Sequence, residues 1–180
     1  MKNQLLLHSC CAPCSSYVIE YLSENFDLTL LYYNPNIFPV EEYTKRAAEQ
    51  KRLIGLLDGN ISVIEGEYDY SLFLHAVSGL ESEREGGKRC EVCFELRLRE
   101  AAAVAKARGI EYFTTTLSVS PHKDADALNA IGAQMAEEYN VKYLYANFKK
   151  KNGYKRSIEL SRELGLYRQS YCGCEFSKII

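Results

Sequence analysis

The placement of the cysteines constrains this chain more than any other feature of its sequence. Its 180 residues include seven cysteines in three short groups: Cys10, Cys11 and Cys14; Cys90 and Cys93; Cys172 and Cys174. Grouped thiolates suit soft metals, because soft ligands select zinc, Cu(I) and iron–sulfur clusters. One tetrahedral ion or one cubane cluster takes only four such ligands. The sequence therefore predicts a metal centre and leaves three cysteines for a further task.

The composition is that of a globular protein, with 47% hydrophobic and 26% charged residues. The length fits a single domain over residues 1–180. No apolar run approaches the roughly 18 residues of a membrane span, so we expect no membrane partner. The first residues, MKNQLLLHSC, have too short an apolar segment for a secretory signal, so we expect a cytoplasmic protein. In that reducing compartment disulfides are rare, and the odd cysteine count also favours metal ligands or redox groups. A net charge of −2 excludes a surface coated with positive charge for nucleic acid and leaves room for a local basic patch.

Apolar runs of strand length alternate with helical patterns along the chain. This alternation predicts an open, mainly parallel five-stranded α/β sheet with helices on both faces. Ligands bind beyond the carboxyl ends of parallel strands, so we expect the cysteine-rich loops at that edge. The predicted strands are 4–8, 28–33, 61–64, 112–117 and 141–145, and the predicted helices are 17–22, 41–57, 70–78, 93–108, 123–139 and 157–164.

Two segments outside these elements bear on the predicted site. Residues 79–89 are charged and glycine-rich, and they form either a mobile loop over Cys90 and Cys93 or a plain surface loop. Residues 165–180 form a tail, which we expect to return to the metal site.

The spacing of the first two cysteine groups favours a cluster over a single ion. Cys90 and Cys93 form a C-x-x-C near a predicted helix start, where the helix N-terminus favours negative charge. Cys10 and Cys11 are neighbours in the chain, so their side chains diverge and fit one tetrahedral ion poorly. A 4Fe–4S cubane is larger, and adjacent thiolates can reach different iron atoms.

The tail cysteines have three alternative tasks. Cys172 and Cys174 hold a second metal together with Cys14, form a redox disulfide, or are merely structural. Gly173 permits the tight backbone that the C-x-C geometry requires.

Several stretches of the chain resemble epoxyqueuosine reductase of the QueH type. They are HSCCAPCS, YYNPNIFPVEEYTKR, GGKRCEVCFELRL, FTTTLSVSPHKD and GLYRQSYCGCEFS, and they cover nearly the whole chain in order. The resemblance implies an enzyme that reduces the epoxide of epoxyqueuosine, at the wobble position of tRNA, to the alkene of queuosine without cobalamin. It also implies an α/β sheet like that of adenine-nucleotide hydrolases and PP-loop enzymes. Because the PP-loop motif S-G-G-x-D-S is absent, we do not predict ATP use.

The resemblance also implies an assignment of the cysteines. The ligands of a 4Fe–4S cluster would be Cys10, Cys11, Cys90 and Cys93. Beside it, a second mononuclear iron or a redox pair would involve Cys14, Cys172 and Cys174.

Removal of an epoxide oxygen to leave a double bond takes two electrons and a strong hold on the departing oxygen. Our hypothesis is that the cluster passes electrons singly from an electron donor, while a neighbouring iron stabilises the developing alkoxide as a Lewis acid. Three residues are candidate proton donors: His8, His122 and Asp124. We expect Asp124 to be catalytic, together with Cys14, Cys172 and Cys174.

The predicted substrate contacts come from basic and aromatic residues. A basic stretch suits tRNA phosphates, although such a run is also typical of a solvated face; it contains Lys149, Lys150, Lys151, Lys155 and Arg156.

Other residues flank the cysteine groups or follow the second strand. We expect four flanking residues to line the pocket: Lys88, Arg89, Arg168 and Tyr171. Tyr33 or Tyr171 is expected to stack on the extruded base. Asn34 either hydrogen-bonds a ring hydroxyl or is a simple turn residue.

Two further classes of protein compete with the enzyme. One is a zinc-dependent nucleic-acid-binding module without catalysis, and the other is a thiol redox sensor that uses Cys172 and Cys174. Iron–sulfur protein is brown and zinc protein is colourless, so colour separates the enzyme from the zinc module.

Overall fold

The computed structural model describes residues 2–57 and 60–178, so the last two residues of the predicted tail lie outside the described part. The strands are β1 (Asn3–Ser9), β2 (Phe26–Tyr32), β3 (Ser62–Glu65), β4 (Tyr112–Thr115) and β5 (Lys142–Tyr143). The α-helices are α1 (Ala12–Leu22), α2 (Val40–Leu56), α3 (Tyr70–Ala76), α4 (Lys88–Arg108), α5 (Ala125–Tyr139) and α6 (Gly153–Glu163). Short 3-10 helices cover Thr116–Val119 and Glu175–Ser177.

The strands form one parallel sheet in the order β3-β2-β1-β4-β5. The predicted five-stranded parallel sheet is confirmed. The chain starts in the middle of the sheet and builds outward first on one side and then on the other, so the order reverses between β1 and β4. In sheets of this kind the crevice at the reversal, beyond the carboxyl ends of the strands, is where ligands bind. This order is also compatible with a PP-loop-like fold.

Alternate side chains of β1 enter two different cores, as the period of two in a strand requires. Leu5 and Leu7 pack on one face with Val18 of α1, whereas Leu6 packs on the other face with Leu98 of α4. Helices therefore cover both faces of the sheet, as the sequence predicts. Among the described residues, no helix has both the length and the apolar character that crossing a membrane would need.

Several predicted boundaries are wrong, among them the start of α6, which lies at Gly153 rather than at 157. The starts of α1 and α4 matter for the site. Helix α1 begins at Ala12 rather than at 17, because Pro13 fits in the first turn, where its missing N–H costs nothing. Helix α4 begins at Lys88 rather than at 93, directly after Gly87. Strand β4 ends at Thr115, whose hydroxyl accepts a hydrogen bond from the N–H of Leu117 and starts a 3-10 helix. Strand β5 shrinks to Lys142–Tyr143.

Candidate metal centre and active site

The carboxyl end of β1 and the start of α1 bring three thiols together. Cys10 follows β1, Cys11 is the N-cap of α1, and Cys14 lies in the first turn of that helix. Their sulfur atoms all lie within 4.8 Å of one another, and those of Cys10 and Cys11 are 3.7 Å apart. The hydroxyl of Thr116 donates to the sulfur of Cys10 at 3.2 Å. The thiol group therefore lies at the reversal point between β1 and β4.

The predicted task of Cys14 together with Cys172 and Cys174 stays a prediction. The sulfur of Cys14 lies with those of Cys10 and Cys11. The reason is the early start of α1. Cys14 lies three residues after the N-cap Cys11, so the helical turn brings both side chains to the same side of the helix N-terminus.

Electrostatics at this group favour one thiolate. Hydrogen bonds from the thiols of Cys11 and Cys14 hold the pKa of the Cys10 thiol well below its usual range. The same contacts raise the pKa of Cys11 to about 12, and they also raise that of Cys14. The N-terminus of α1 adds a favourable partial charge for a thiolate. Of the three thiols, that of Cys10 is therefore the one whose thiolate form the surroundings favour.

The second group of cysteines lies on α4, and the third is in the tail. Cys90 and Cys93 are both buried, and the N–H of Gly86 donates to the sulfur of Cys90 at 3.2 Å. Cys93 packs in one apolar cluster with Cys174, and Cys172 lies against the same cluster. Burial raises the pKa of the Cys93 thiol to about 11. All seven cysteines are free thiols.

The side chains present fit a soft metal centre. Within the described residues, the group of Cys10, Cys11 and Cys14 contains sulfur donors alone, with no histidine or carboxylate among them. Such a donor set suits zinc or iron–sulfur chemistry. Cys90 and Cys93 are not part of that tight group, so the predicted set of four cluster ligands is divided between the β1–α1 loop and α4.

Comparison of the sequence with known proteins shows which family the chain belongs to. A family model described as "Epoxyqueuosine reductase QueH" matches residues 5–179. The chain belongs to the QueH family. The predicted resemblance is thereby confirmed.

Individual members of the QueH family are similar to the chain over almost all of its length. A protein of Streptococcus pyogenes serotype M1, named epoxyqueuosine reductase QueH, is 41% identical over 181 residues, which cover 98% of this chain and 71% of the relative. A Staphylococcus epidermidis protein of the same name is 42% identical and covers 98% of this chain and 76% of the relative. One from Dehalococcoides mccartyi is 37% identical and covers 99% of this chain and 94% of the relative.

A cavity of about 920 Å³ opens beside the thiol group of this QueH family member. Its walls come from the β1–α1 loop, the segment after β4, helices α2, α4 and α6, and the tail. Predicted site residues on these walls are Cys10, Cys11, Cys14, Cys172, Arg168, Tyr171 and His122. The tertiary structure thus brings the first cysteine group and part of the tail to one cavity.

Tyr33 and Asn34 do not line this cavity among the described residues. Tyr33 is only 7% exposed and packs in the core with Leu98, so the structure assigns it to the core rather than to a stacking surface. Asn34 is fully buried, and its side-chain amide donates to the carbonyl oxygen of Ser9 at 2.9 Å. Its role is to tie the end of β2 to the end of β1.

Arg89 has a role that the sequence does not reveal. Its side chain is buried, and Nη1 donates to the carbonyl oxygens of Leu80 and Glu81 at 3.3 and 2.9 Å and to that of Glu83. The guanidinium therefore anchors the backbone of the charged segment instead of lining the cavity. Residues 88–89 of the predicted loop belong to α4, and Lys88 is exposed there.

The three candidate proton donors have different surroundings. In His8, one ring nitrogen contacts the Thr115 hydroxyl and the other the Tyr33 carbonyl oxygen, both at 2.9 Å. Asp124 is the N-cap of α5, and its carboxylate accepts hydrogen bonds from two backbone N–H groups. His122 lines the cavity.

The residues of the basic stretch also differ in their surroundings. The ammonium group of Lys149 donates to the carbonyl oxygen of Lys123 at 2.7 Å, and burial lowers its pKa. Lys150 and Lys151 are exposed to solvent. Arg156 forms ion pairs with Glu20 and Glu163.

Sequence reasoning missed two buried arginines at the site, Arg46 of α2 and Arg97 of α4. Both line the cavity. The spacing of Arg97, four residues after Cys93 and seven after Cys90, puts it on the cysteine face of the helix and could have revealed it. Arg46 contacts residues more than 120 positions away, and no local pattern reveals such contacts.

Proposed function

We propose that this chain reduces epoxyqueuosine in tRNA to queuosine by a two-electron removal of the epoxide oxygen. Support comes from its identity of 41% with a relative named epoxyqueuosine reductase. The main structural support is that three clustered thiols line a cavity of about 920 Å³. A cavity of this size fits a modified nucleoside.

The proposed ligands of a 4Fe–4S cluster are Cys10, Cys11, Cys90 and Cys93. Cys14, Cys172 and Cys174 then hold a second iron or form a redox disulfide. When bound, the metal centre supplies single electrons and a Lewis acid for the departing oxygen. The protein contributes the sulfur ligands, of which Cys11, Cys90 and Cys93 are buried.

The cavity walls provide the proposed contacts to the nucleoside. The hydroxyl of Tyr171 donates to the carbonyl oxygen of Phe38 at 2.6 Å, and the guanidinium of Arg46 lies 5.1 Å from the ring centroid. These contacts hold the ring in one orientation, so it offers a fixed face on which a base can stack. Arg168 lines the same cavity and supplies positive charge for the tRNA backbone.

Two protons are needed for the epoxide oxygen to leave as water. His122 lines the cavity, so its imidazole is placed to give a proton to an oxygen bound there. Both ring nitrogens of His8 are already engaged. The carboxyl group of Asp124 remains a second proposed donor, although its oxygen also caps α5.

The decisive experiment is anaerobic purification followed by iron and sulfide analysis and by incubation with epoxyqueuosine tRNA and dithionite. We expect a brown protein and formation of queuosine, detected by mass spectrometry of the nucleosides. The Cys93→Ser variant should lose both the iron–sulfur absorbance and turnover. Glu91→Ser, which changes an exposed position in the same turn of α4, is the matched control.

Three results would contradict the proposal. Metal-replete wild-type protein that forms no queuosine would refute the function. Colourless protein with bound zinc would favour the nucleic-acid-binding module. Turnover in a Cys93→Ser protein without iron would refute the assigned cofactor. A cytoplasmic location, where tRNA is found, and an electron donor as partner belong to the same proposal.

A further inference from the structure

Arg97 is a buried cation without a carboxylate partner. It is 3% exposed and lines the cavity together with Cys10, Cys11 and Cys14. Its Nη1 donates to the side-chain oxygen of Asn36 at 2.9 Å and lies 3.7 Å from the sulfur of Cys93. Within the described residues, its Nε and Nη2 have no hydrogen-bond partner, and no carboxylate pairs with it. A buried charge in this condition is costly unless an anion compensates it.

The other two buried arginines show how this chain ordinarily accommodates such a group. Arg46 pairs with Glu42 and donates to two carbonyl oxygens of the tail. Arg89 donates to three carbonyl oxygens of the loop before α4. Arg97 has a single side-chain oxygen and a sulfur atom as its partners. The difference indicates that its remaining N–H groups are kept for a partner beyond the protein's own atoms.

The surroundings of Arg97 limit what that partner is. Arg97 contacts the sulfur of Cys93 at 3.7 Å and lines the same cavity as Cys10, so it faces thiols of the β1–α1 loop and of α4. An anion that pairs with the free N–H groups of Arg97 would lie near these thiols. Thiolates that bind iron and sulfide form a centre with net negative charge, and hydrogen bonds to sulfur tune the potential of such a centre.

We infer that Arg97 is a positioning residue of the metal centre, which supplies its positive counter-charge and donates hydrogen bonds to its sulfur atoms. This inference rests on the proposed function. When dithionite gives the centre one electron, the negative charge increases by one. Arg97 stabilises the reduced form more than the oxidised form and so raises the midpoint potential of the centre.

The test compares midpoint potentials of iron-loaded proteins in the absence of tRNA, by anaerobic titration with dithionite. Arg97→Gln removes the charge, and Arg97→Lys keeps it. Arg99→Gln is the matched control, because Arg99 lies on the same helix in surface ion pairs with Glu95 and Glu138. We expect Arg97→Gln to shift the potential to more negative values. Arg97→Lys should retain most of the wild-type value, and Arg99→Gln should leave it unchanged.

A second measurement separates this role from a structural one. The metal-free Arg97→Gln protein should melt close to metal-free wild type, because Gln keeps an N–H donor for the side-chain oxygen of Asn36. If it folds but holds no cluster while Arg97→Lys does, the inference is supported. A midpoint potential equal to that of the control, or a lower melting temperature without metal, overturns it. Wild-type protein that takes up no iron refutes the proposed cofactor itself.

Discussion

Nη1 of Arg46 donates a hydrogen bond of 3.1 Å to the carbonyl oxygen of Cys172, which lies 126 positions later in the chain. Nη2 makes an equal bond to the carbonyl oxygen of Tyr171, and Nε pairs with Glu42 at 2.7 Å. Helix α2 thereby holds the segment that carries the tail cysteines. The position of these thiols depends on a residue from a different part of the sequence.

Arg46→Met should release this segment. The substitution leaves Glu42 without its cation and two carbonyl oxygens without their donor, and loss of one member of a buried pair costs about 3–5 kcal/mol. We expect that decrease in the free energy of unfolding, measured by chemical denaturation, and faster alkylation of Cys172 by iodoacetamide. Lys51→Met on the same helix, where Lys51 is exposed, is the control. Equal alkylation rates in the two variants would exclude the clamp.

Gly173→Ala should displace the tail for a different reason. Gly173 has a φ of 112°, and an added Cβ would lie 2.7 Å from Cγ1 of Ile37. We expect a loss of roughly 1–3 kcal/mol in the free energy of unfolding, together with lower turnover. Gly55→Ala in α2 is the control, because nothing lies within 4 Å of its added Cβ. A Gly173→Ala protein as stable as this control would show that the tail accommodates the methyl group.

Substitutions at Asp124 separate capping from catalysis. Asn is as good an N-cap as Asp, so Asp124→Asn should leave stability unchanged, whereas Asp124→Ala should lose about 1 kcal/mol. Thermal melts of both variants check this expectation. Turnover of Asp124→Asn then tests the proposed acid, because that variant keeps the cap and lacks the proton. Equal stability of the two variants would argue against the capping role.

The buried His8 predicts a pH dependence of the metal-free protein. Burial, with a contribution from Arg97, lowers its pKa from 6.5 to about 4. Stability is therefore complete above pH 6.5 and falls as the unfolded chain takes up a proton that the folded protein accepts only near pH 4. The total loss is on the order of 3 kcal/mol.

The free energy of unfolding between pH 6.5 and about 5 checks this, since most carboxyl groups titrate below that range. His8→Gln is neutral at every pH and should lack the slope. A wild-type profile as flat as that of the variant would contradict a neutral, buried His8.

The exposed lysines after β5 should contribute to tRNA affinity. The double change Lys150→Glu and Lys151→Glu should weaken binding, because each phosphate contact contributes counterion release. The slope of log affinity against log salt should fall by about 0.7–0.9 per lost contact. Filter binding over a salt series measures both effects. Lys106→Glu, in the last turn of α4, is the control, and an equal effect there would mean that the charge acts nonspecifically.

The sequence could predict a good part of the fold. The alternation of apolar runs such as Leu5–Leu7 with helical patterns is local, so the parallel sheet with helices on both faces follows from it. Three of the wrong boundaries lie where a cap or a turn determines the end of an element, at Cys11, Gly87 and Thr115. These depend on single hydrogen bonds or backbone angles rather than on a repeating pattern.

The sequence by itself determined that thiols occur in groups, that the chain alternates strand and helix, and that its motifs are those of the QueH family. Only the tertiary structure decided which thiols meet. It put the sulfur of Cys14 with those of Cys10 and Cys11, and it packed Cys93 against Cys174. It also placed Arg97 against the sulfur of Cys93 and the carbonyl oxygen of Cys172 against Arg46. The reason is that a periodic pattern records only neighbours along the chain, whereas these contacts depend on strand order and on the rotation of each helix about its axis.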